Sequence, residues 1–108
     1  RQKDLIIAGG YNIYPKEVEL ALDAMPGVKE SAVIGVPHPD LGEAAIGILI
    51  PHEDMTPDNA MILSELARRL ARYKLPRALV TLNSLPRNTM GKVQKNLLRD
   101  QFRGWFGG

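Results

Sequence analysis

The chain has 108 residues, enough for one small domain, and its 44% hydrophobic content suffices for a single packed core. It has no cysteine, which excludes a disulfide framework and a thiolate metal site. The net charge of +2 conceals an asymmetry, because residues 1–64 carry −6 and residues 65–108 carry +8. The basic back half is either a solvated face or a surface that meets an anion: a nucleotide, a phosphate-bearing cofactor, nucleic acid or an acidic protein. The longest apolar run, Ala44 to Ile50, is far shorter than the roughly 20 residues a membrane span needs, so no membrane contact is expected. The start, Arg1-Gln2-Lys3-Asp4, lacks both a methionine and the apolar stretch of a signal peptide, and the chain is expected to be a piece of a longer protein.

In chain order, Asp4 to Ala8 reads as a short strand, Gly9-Gly10 as a turn, and Tyr11 to Tyr14 as the returning strand. Pro15 suits a first helical position, and Val18, Ala21, Leu22 and Met25 then recur at helical spacing until Pro26-Gly27. Val28 to Val36 and Ala44 to Ile50 are continuous apolar runs without alternation, the pattern of strands covered on both faces, with Pro37 to Asp40 as the turn between them. Thr56 is a candidate N-cap, followed by Pro57 and Asp58 in the first turn of a helix whose core stripe holds Met61 or Ile62, Leu63, Leu66, Ala67 and Leu70. Pro76 breaks the chain, and Ala78 to Leu82 reads as another strand. The polar stretch from Leu85 to Lys92 is a turn or added hairpin. A last helix from Lys95 to Phe106 puts Leu98, Phe102 and Trp105 on one face. These elements describe a small α/β (α+β) domain: a three-stranded sheet flanked by helices, with an added N-terminal β-hairpin.

Several chemistries lack their residues. The two histidines, His38 and His52, have no metal-ligand spacing, so no metal site is expected. There is no GxSxG elbow for a serine nucleophile. Gly91-Lys92 ends like a P-loop, but Pro86 and Val93 stand where that motif needs Gly and Ser or Thr. Gly9-Gly10 lacks the spacing of a dinucleotide fold. No helix-turn-helix, zinc finger or stacked-aromatic signature accompanies the basic half, so nucleic acid is not the expected partner.

Two segments stand out. The first runs from Arg1 to Glu19 as a charged lead-in, a hairpin with paired glycines at its tip, and a helix start; glycines there let another chain or a ligand approach the backbone. The second, Leu85-Pro86-Arg87-Asn88-Thr89-Met90-Gly91-Lys92-Val93-Gln94-Lys95, puts a lysine after a glycine on an exposed turn, where it can offer a compact ammonium to a phosphate or carboxylate. Either segment alone could be an ordinary turn. Together, in this order, they make the whole chain resemble the C-terminal domain of the adenylate-forming superfamily: acyl-CoA synthetases, peptide-synthetase adenylation domains and luciferases. Tyr73-Lys74-Leu75-Pro76 and Val33-Ile34-Gly35-Val36-Pro37 with Gly42-Glu43 add to the likeness. Gly10 to Glu17 and Pro86 to Asn96 look most like malonyl-CoA or methylmalonyl-CoA synthetases.

The resemblance implies residues 1–108 as one mobile lid domain, with a large N-terminal adenylation domain outside this chain. The enzyme would be a cytoplasmic, AMP-forming ligase of fatty acid metabolism that joins a carboxylate to CoA using ATP and Mg2+, and the lid alone would be inactive. Lys92 would be the adenylation lysine and contact the nucleotide, as would Arg1. Lys3 and Asp4 would form the hinge of domain alternation. Gly9, Gly10 and Tyr11 would line the CoA tunnel, and Tyr73 and Arg77 would contact the CoA nucleotide; Leu41 stands where some relatives have an aromatic. The PxxxxGK pattern from Pro86 to Lys92 also resembles a site for protein lysine acetyltransferases, reversed by a deacetylase. Other readings implied are another acid-thiol ligase, a peptide-synthetase adenylation domain, or an interaction module whose Lys92 is an acetyltransferase substrate.

Overall fold

A computed structural model describes residues 4–107. The elements are β1 (Ile6–Ala8), β2 (Tyr11–Ile13), α1 (Pro15–Asp23), β3 (Val28–His38), β4 (Gly42–Pro51), α2 (Asn59–Arg69), a 3₁₀ turn (Arg72–Lys74), β5 (Ala78–Thr81) and α3 (Lys95–Phe102). β3 and β4 form a long antiparallel hairpin, from Val28 opposite Pro51 to His38 opposite Gly42. β5 runs parallel to β4 on its other edge, from Ile46 opposite Ala78 to Leu49 opposite Thr81. The same edge carries β1 nearer the start of β4, where Ala8 lies opposite Gly42. The three-stranded core and its added hairpin are thus one continuous five-stranded sheet.

The two apolar runs are explained by two covered faces. Side chains alternate across a strand. Val33, Ala45 and Leu49 point to one side, where they meet Val18 and Leu22 of α1, Ile62 and Leu66 of α2, and Ile6 and Ile13 of the first hairpin. Ala32, Ile34, Val36, Ile46, Ile48 and Ile50 point to the other, against Leu98 and Phe102 of α3 and Leu85. Gly47 sits where α1 and β5 crowd β4; a Cβ there would lie 2.7 Å from Leu79 Cδ2 and 3.3 Å from Leu22 Cδ1. No helix among the described residues is long and apolar enough to cross a membrane.

Several boundaries differ from the sequence reading. Asp58, not Thr56, caps α2: its carboxylate accepts from Ala60 N at 3.0 Å and Met61 N at 3.2 Å. Pro57 therefore lies before the helix. In the stripe, Ile62 and Leu66 are buried, whereas Met61 and Ala67 are exposed. The strand before the first turn continues through Pro37 to His38, because His38 Nδ1 accepts from Asp40 N and Leu41 N and forms the turn itself at 39–41. α3 stops at Phe102, so Trp105 is half exposed and packs edge-on against Phe102 instead of continuing a helical face. The segment around Lys92 forms one isolated bridge, Arg87 opposite Val93, and no full hairpin.

Candidate active-site surfaces

The lysine loop is built from the inside out. Leu85 is buried and Val93 packs on the α3 side of the sheet, which anchors both ends. Gln94 N donates to Pro86 O at 2.8 Å, Asn88 N to Lys92 O at 3.0 Å, and Gly91 N to Asn88 O at 2.9 Å. The Asn88 side-chain oxygen then accepts from Met90 N and from Lys92 N, both at 2.9 Å. Such a side-chain acceptor replaces the bonds a regular ladder would supply. Gly91 takes φ +83, which a side chain rarely adopts. Arg87 donates to Gly91 O at 3.0 Å and pairs with Glu30 of β3, which ties the loop to the sheet. Lys92 itself is exposed.

The first hairpin makes the second surface. Gly9 and Gly10 occupy its tip with φ +58 and +87. Gly9 N donates to Leu41 O at 2.9 Å, and a Cβ on Gly9 would lie 3.1 Å from Leu41 Cδ2. A Cβ on Gly10 would meet nothing within 4 Å, so the space over it is open. Beside the tip is a pocket of about 180 Å³ lined by Gly9, Tyr11, Leu41, Tyr73, Leu75 and Arg77, among others. Tyr11 and Tyr73 stack with ring centroids 4.8 Å apart. One face of Tyr73 therefore already carries an aromatic partner. Lys74 pairs with Glu17 of α1 at 2.9 Å, which holds the 3₁₀ turn against the helix; the Glu17 hydrogen bond keeps the ammonium above the ordinary lysine range.

Four of the residues singled out for CoA, namely Gly9, Tyr11, Tyr73 and Arg77, thus share one pocket, with Gly10 next to it. Lys92 belongs to a different surface. Its loop is anchored in the core cluster of α3, whereas Ile6 and Ile13 anchor the hairpin in that of α1 and α2. Asp4 is paired with Lys95 and Arg99. Arg1 and Lys3 lie outside the described residues.

The charge asymmetry resolves in the same way. Arg68 and Arg69 pair with Glu65, Arg103 with Asp100, Lys74 with Glu17, Arg87 with Glu30, Lys95 with Asp4 and Glu19, and Arg99 with Asp4. Among the described residues, the back-half cations left without an ion pair are Arg72, Arg77 and Lys92. The loop-building roles of Asn88, Arg87 and Glu30 were not assigned from sequence. An Asn three residues before a Gly is a signal for the first; nothing local could have paired Arg87 with Glu30.

Comparison with known proteins identifies the family. Residues 17–92 match the family described as the AMP-binding enzyme C-terminal domain. The long-chain-fatty-acid–CoA ligase FadD13 of Mycobacterium tuberculosis is 42% identical over 102 residues, covering 94% of this chain and 20% of that protein. The indoleacetate–CoA ligase of Aromatoleum aromaticum is 43% identical over 99 residues, covering 92% of this chain and 19% of that protein. The crystal structure of ATP-bound MatB from Rhodopseudomonas palustris superposes with a TM-score of 0.95 at 50% identity, covering 98% of this chain and 21% of that one. The chain spans about a fifth of the length of these relatives. With the family match extending from α1 through the Gly91-Lys92 turn, this chain belongs to the AMP-binding enzyme C-terminal domain family, the family of its adenylate-forming acyl-CoA ligase relatives.

Proposed function

We propose that the chain is the mobile lid domain of an ATP-dependent acyl-CoA ligase, acting over a large N-terminal domain outside residues 1–108. The observation that carries this is the separation of two candidate surfaces, one around Lys92 and one around the Gly9-Gly10 tip, rooted in opposite layers of one sheet. Two steps that use different faces of one lid account for that separation. In the first, a carboxylate oxygen bonds the α-phosphorus of ATP, carried with Mg2+, and pyrophosphate leaves. Lys92, with no ion pair of its own, would lie against the carboxylate and phosphate as negative charge shifts between them. In the second, the CoA sulfur bonds the acyl carbon and AMP leaves. The open backbone at Gly10 and the pocket beside it would pass the pantetheine arm, with Arg77 placed for a phosphate of the CoA nucleotide. Lys3 and Asp4 would provide the hinge, and Arg1 a further nucleotide contact.

A malonyl-CoA-type ligase is favoured within the family by the 50% identity to MatB and by the motif around Lys92. A cytoplasmic enzyme of fatty acid metabolism is consistent with those substrates. Lys92 is also a candidate for reversible acetylation by a lysine acetyltransferase and a deacetylase, since its exposure admits a modifying enzyme and acetylation removes the charge adenylation needs. The test is a screen of the full-length protein across mono- and dicarboxylates for ATP- and CoA-dependent thioester formation, wild type against Lys92→Ala. Activity with malonate, lost in the variant, supports the reading. Full activity in the variant contradicts it.

A further inference from the structure

The lead-in to the domain and the lysine loop are far apart in sequence, but one side chain joins them. Lys95 is the first residue of α3, three positions after Lys92. Its ammonium lies 2.6 Å from Asp4 Oδ2 and 2.6 Å from Glu19 Oε2, with only 18% of its side chain exposed. Glu19 Oε2 in turn accepts from Val33 N at 2.9 Å, which fixes the carboxylate to the central sheet. Arg99, one turn along α3, stands 3.8 Å from the other oxygen of Asp4. The lead-in, α1, β3 and α3 therefore meet at one node of two carboxylates and two cations.

We propose that Lys95 is a positioning residue that locks the lead-in at Asp4 to the base of the Lys92 loop, so that both move as one rigid body. The inference rests on the ligase reading only for its catalytic consequence. A shielded ion pair adds little net stability, since desolvation offsets the attraction, but its geometry is demanding. That suits a part whose job is to fix an angle. Lys92 must meet its target to within a fraction of an ångström, and a torsion change next to Asp4 reaches Lys92 faithfully only if nothing between them yields. The hairpin that carries the pocket beside Gly9 is also held by Ile6 and Ile13, both buried in the cluster of α1 and α2, so loss of the Lys95 ammonium would leave it largely untouched.

The test uses the full-length protein with Lys95→Met, Lys95→Arg and the milder Asp4→Asn, whose side chain is 44% exposed. Hydrogen exchange is read across residues 4–8 and 86–96. Carboxylate-dependent ATP–pyrophosphate exchange and thioester formation from a supplied acyl-adenylate are measured beside it. Asp4→Asn and Lys95→Met are each expected to speed amide exchange in 86–96 about tenfold, although Asp4 is remote in sequence. Lys95→Met should lower adenylation about tenfold and leave thioester formation within about twofold, Lys95→Arg should restore most of the loss, and the double variant should exchange no faster than Lys95→Met alone. Exchange altered only beside each substituted residue, or both half-reactions falling with the folded fraction, would overturn the proposal. If Lys92→Ala run alongside still adenylates, the ligase reading fails, and the exchange data alone decide for or against the node.

Discussion

The lysine loop and the first hairpin are both tight turns with glycines at positive φ, yet they are built for opposite purposes. The loop spends Asn88 and Arg87 on tying down the backbone around Gly91, and the Lys92 ammonium is left without an ion pair. The hairpin keeps its tip bare. Gly9 is pressed against Leu41, and what adjoins Gly10 is an apolar and aromatic wall with one arginine. One region fixes the backbone beneath an exposed charge; the other leaves the space over its tip open.

Substitutions can break that contrast. Lys92→Ala should have the largest effect, lowering ATP–pyrophosphate exchange about a hundred- to a thousandfold, the range for removing one group that stabilises developing charge. Gly10→Leu should do the reverse, slowing thioester formation from a supplied adenylate about a hundredfold while adenylation holds. A Cβ there meets nothing within 4 Å, so an obstruction acts chiefly on an incoming molecule; a fall in the melting temperature sufficient to explain the loss would point to backbone strain at φ +87 instead. Asn88→Ala should slow adenylation about tenfold, because the loop loses the acceptor for two backbone N–H groups, and Asn88→Asp, which keeps an acceptor, should lose less. A circular dichroism melt would show little change, since Asn88 is exposed.

Leu66→Ala sharpens the contrast from the side of stability. The residue is fully buried between α2 and the sheet, so about 2–5 kcal/mol should be lost in a denaturant titration, with both half-reactions falling together. The smallest effect belongs to Glu17→Gln. Glu17 raises the Lys74 pKa, so the link contributes in full below the ordinary lysine range and is lost as pH climbs through the raised value. The variant should therefore differ slightly from wild type in melts at neutral pH and converge with it in strong alkali.

Much of this was legible in the sequence. Continuous apolar runs without alternation announced strands covered on both sides, and β3 and β4 are that. Gly9-Gly10 and Gly91-Lys92 marked the two turns through local chemistry. What escaped was settled at a distance. The cap of α2 went to Asp58, which the sequence placed in the first turn after a Thr56 cap, because its carboxylate reaches two free N–H groups. α3 stopped at Phe102, although Phe106 beyond it still packs against the same cluster. Most of the basic half proved to be paired, and the pairs Arg87–Glu30 and Lys95–Asp4 span distances no local pattern reports. The convergence of Gly9, Tyr11, Tyr73 and Arg77 on one pocket likewise needed the fold.

Both half-reactions, measured on one preparation of the full-length enzyme carrying either Lys92→Ala or Gly10→Leu, test the division of labour most directly. A crossed pattern is expected, with Lys92→Ala losing adenylation and keeping thioester formation, and Gly10→Leu losing thioester formation and keeping adenylation. Loss of the same half-reaction in both variants, or of both half-reactions in each, would contradict it.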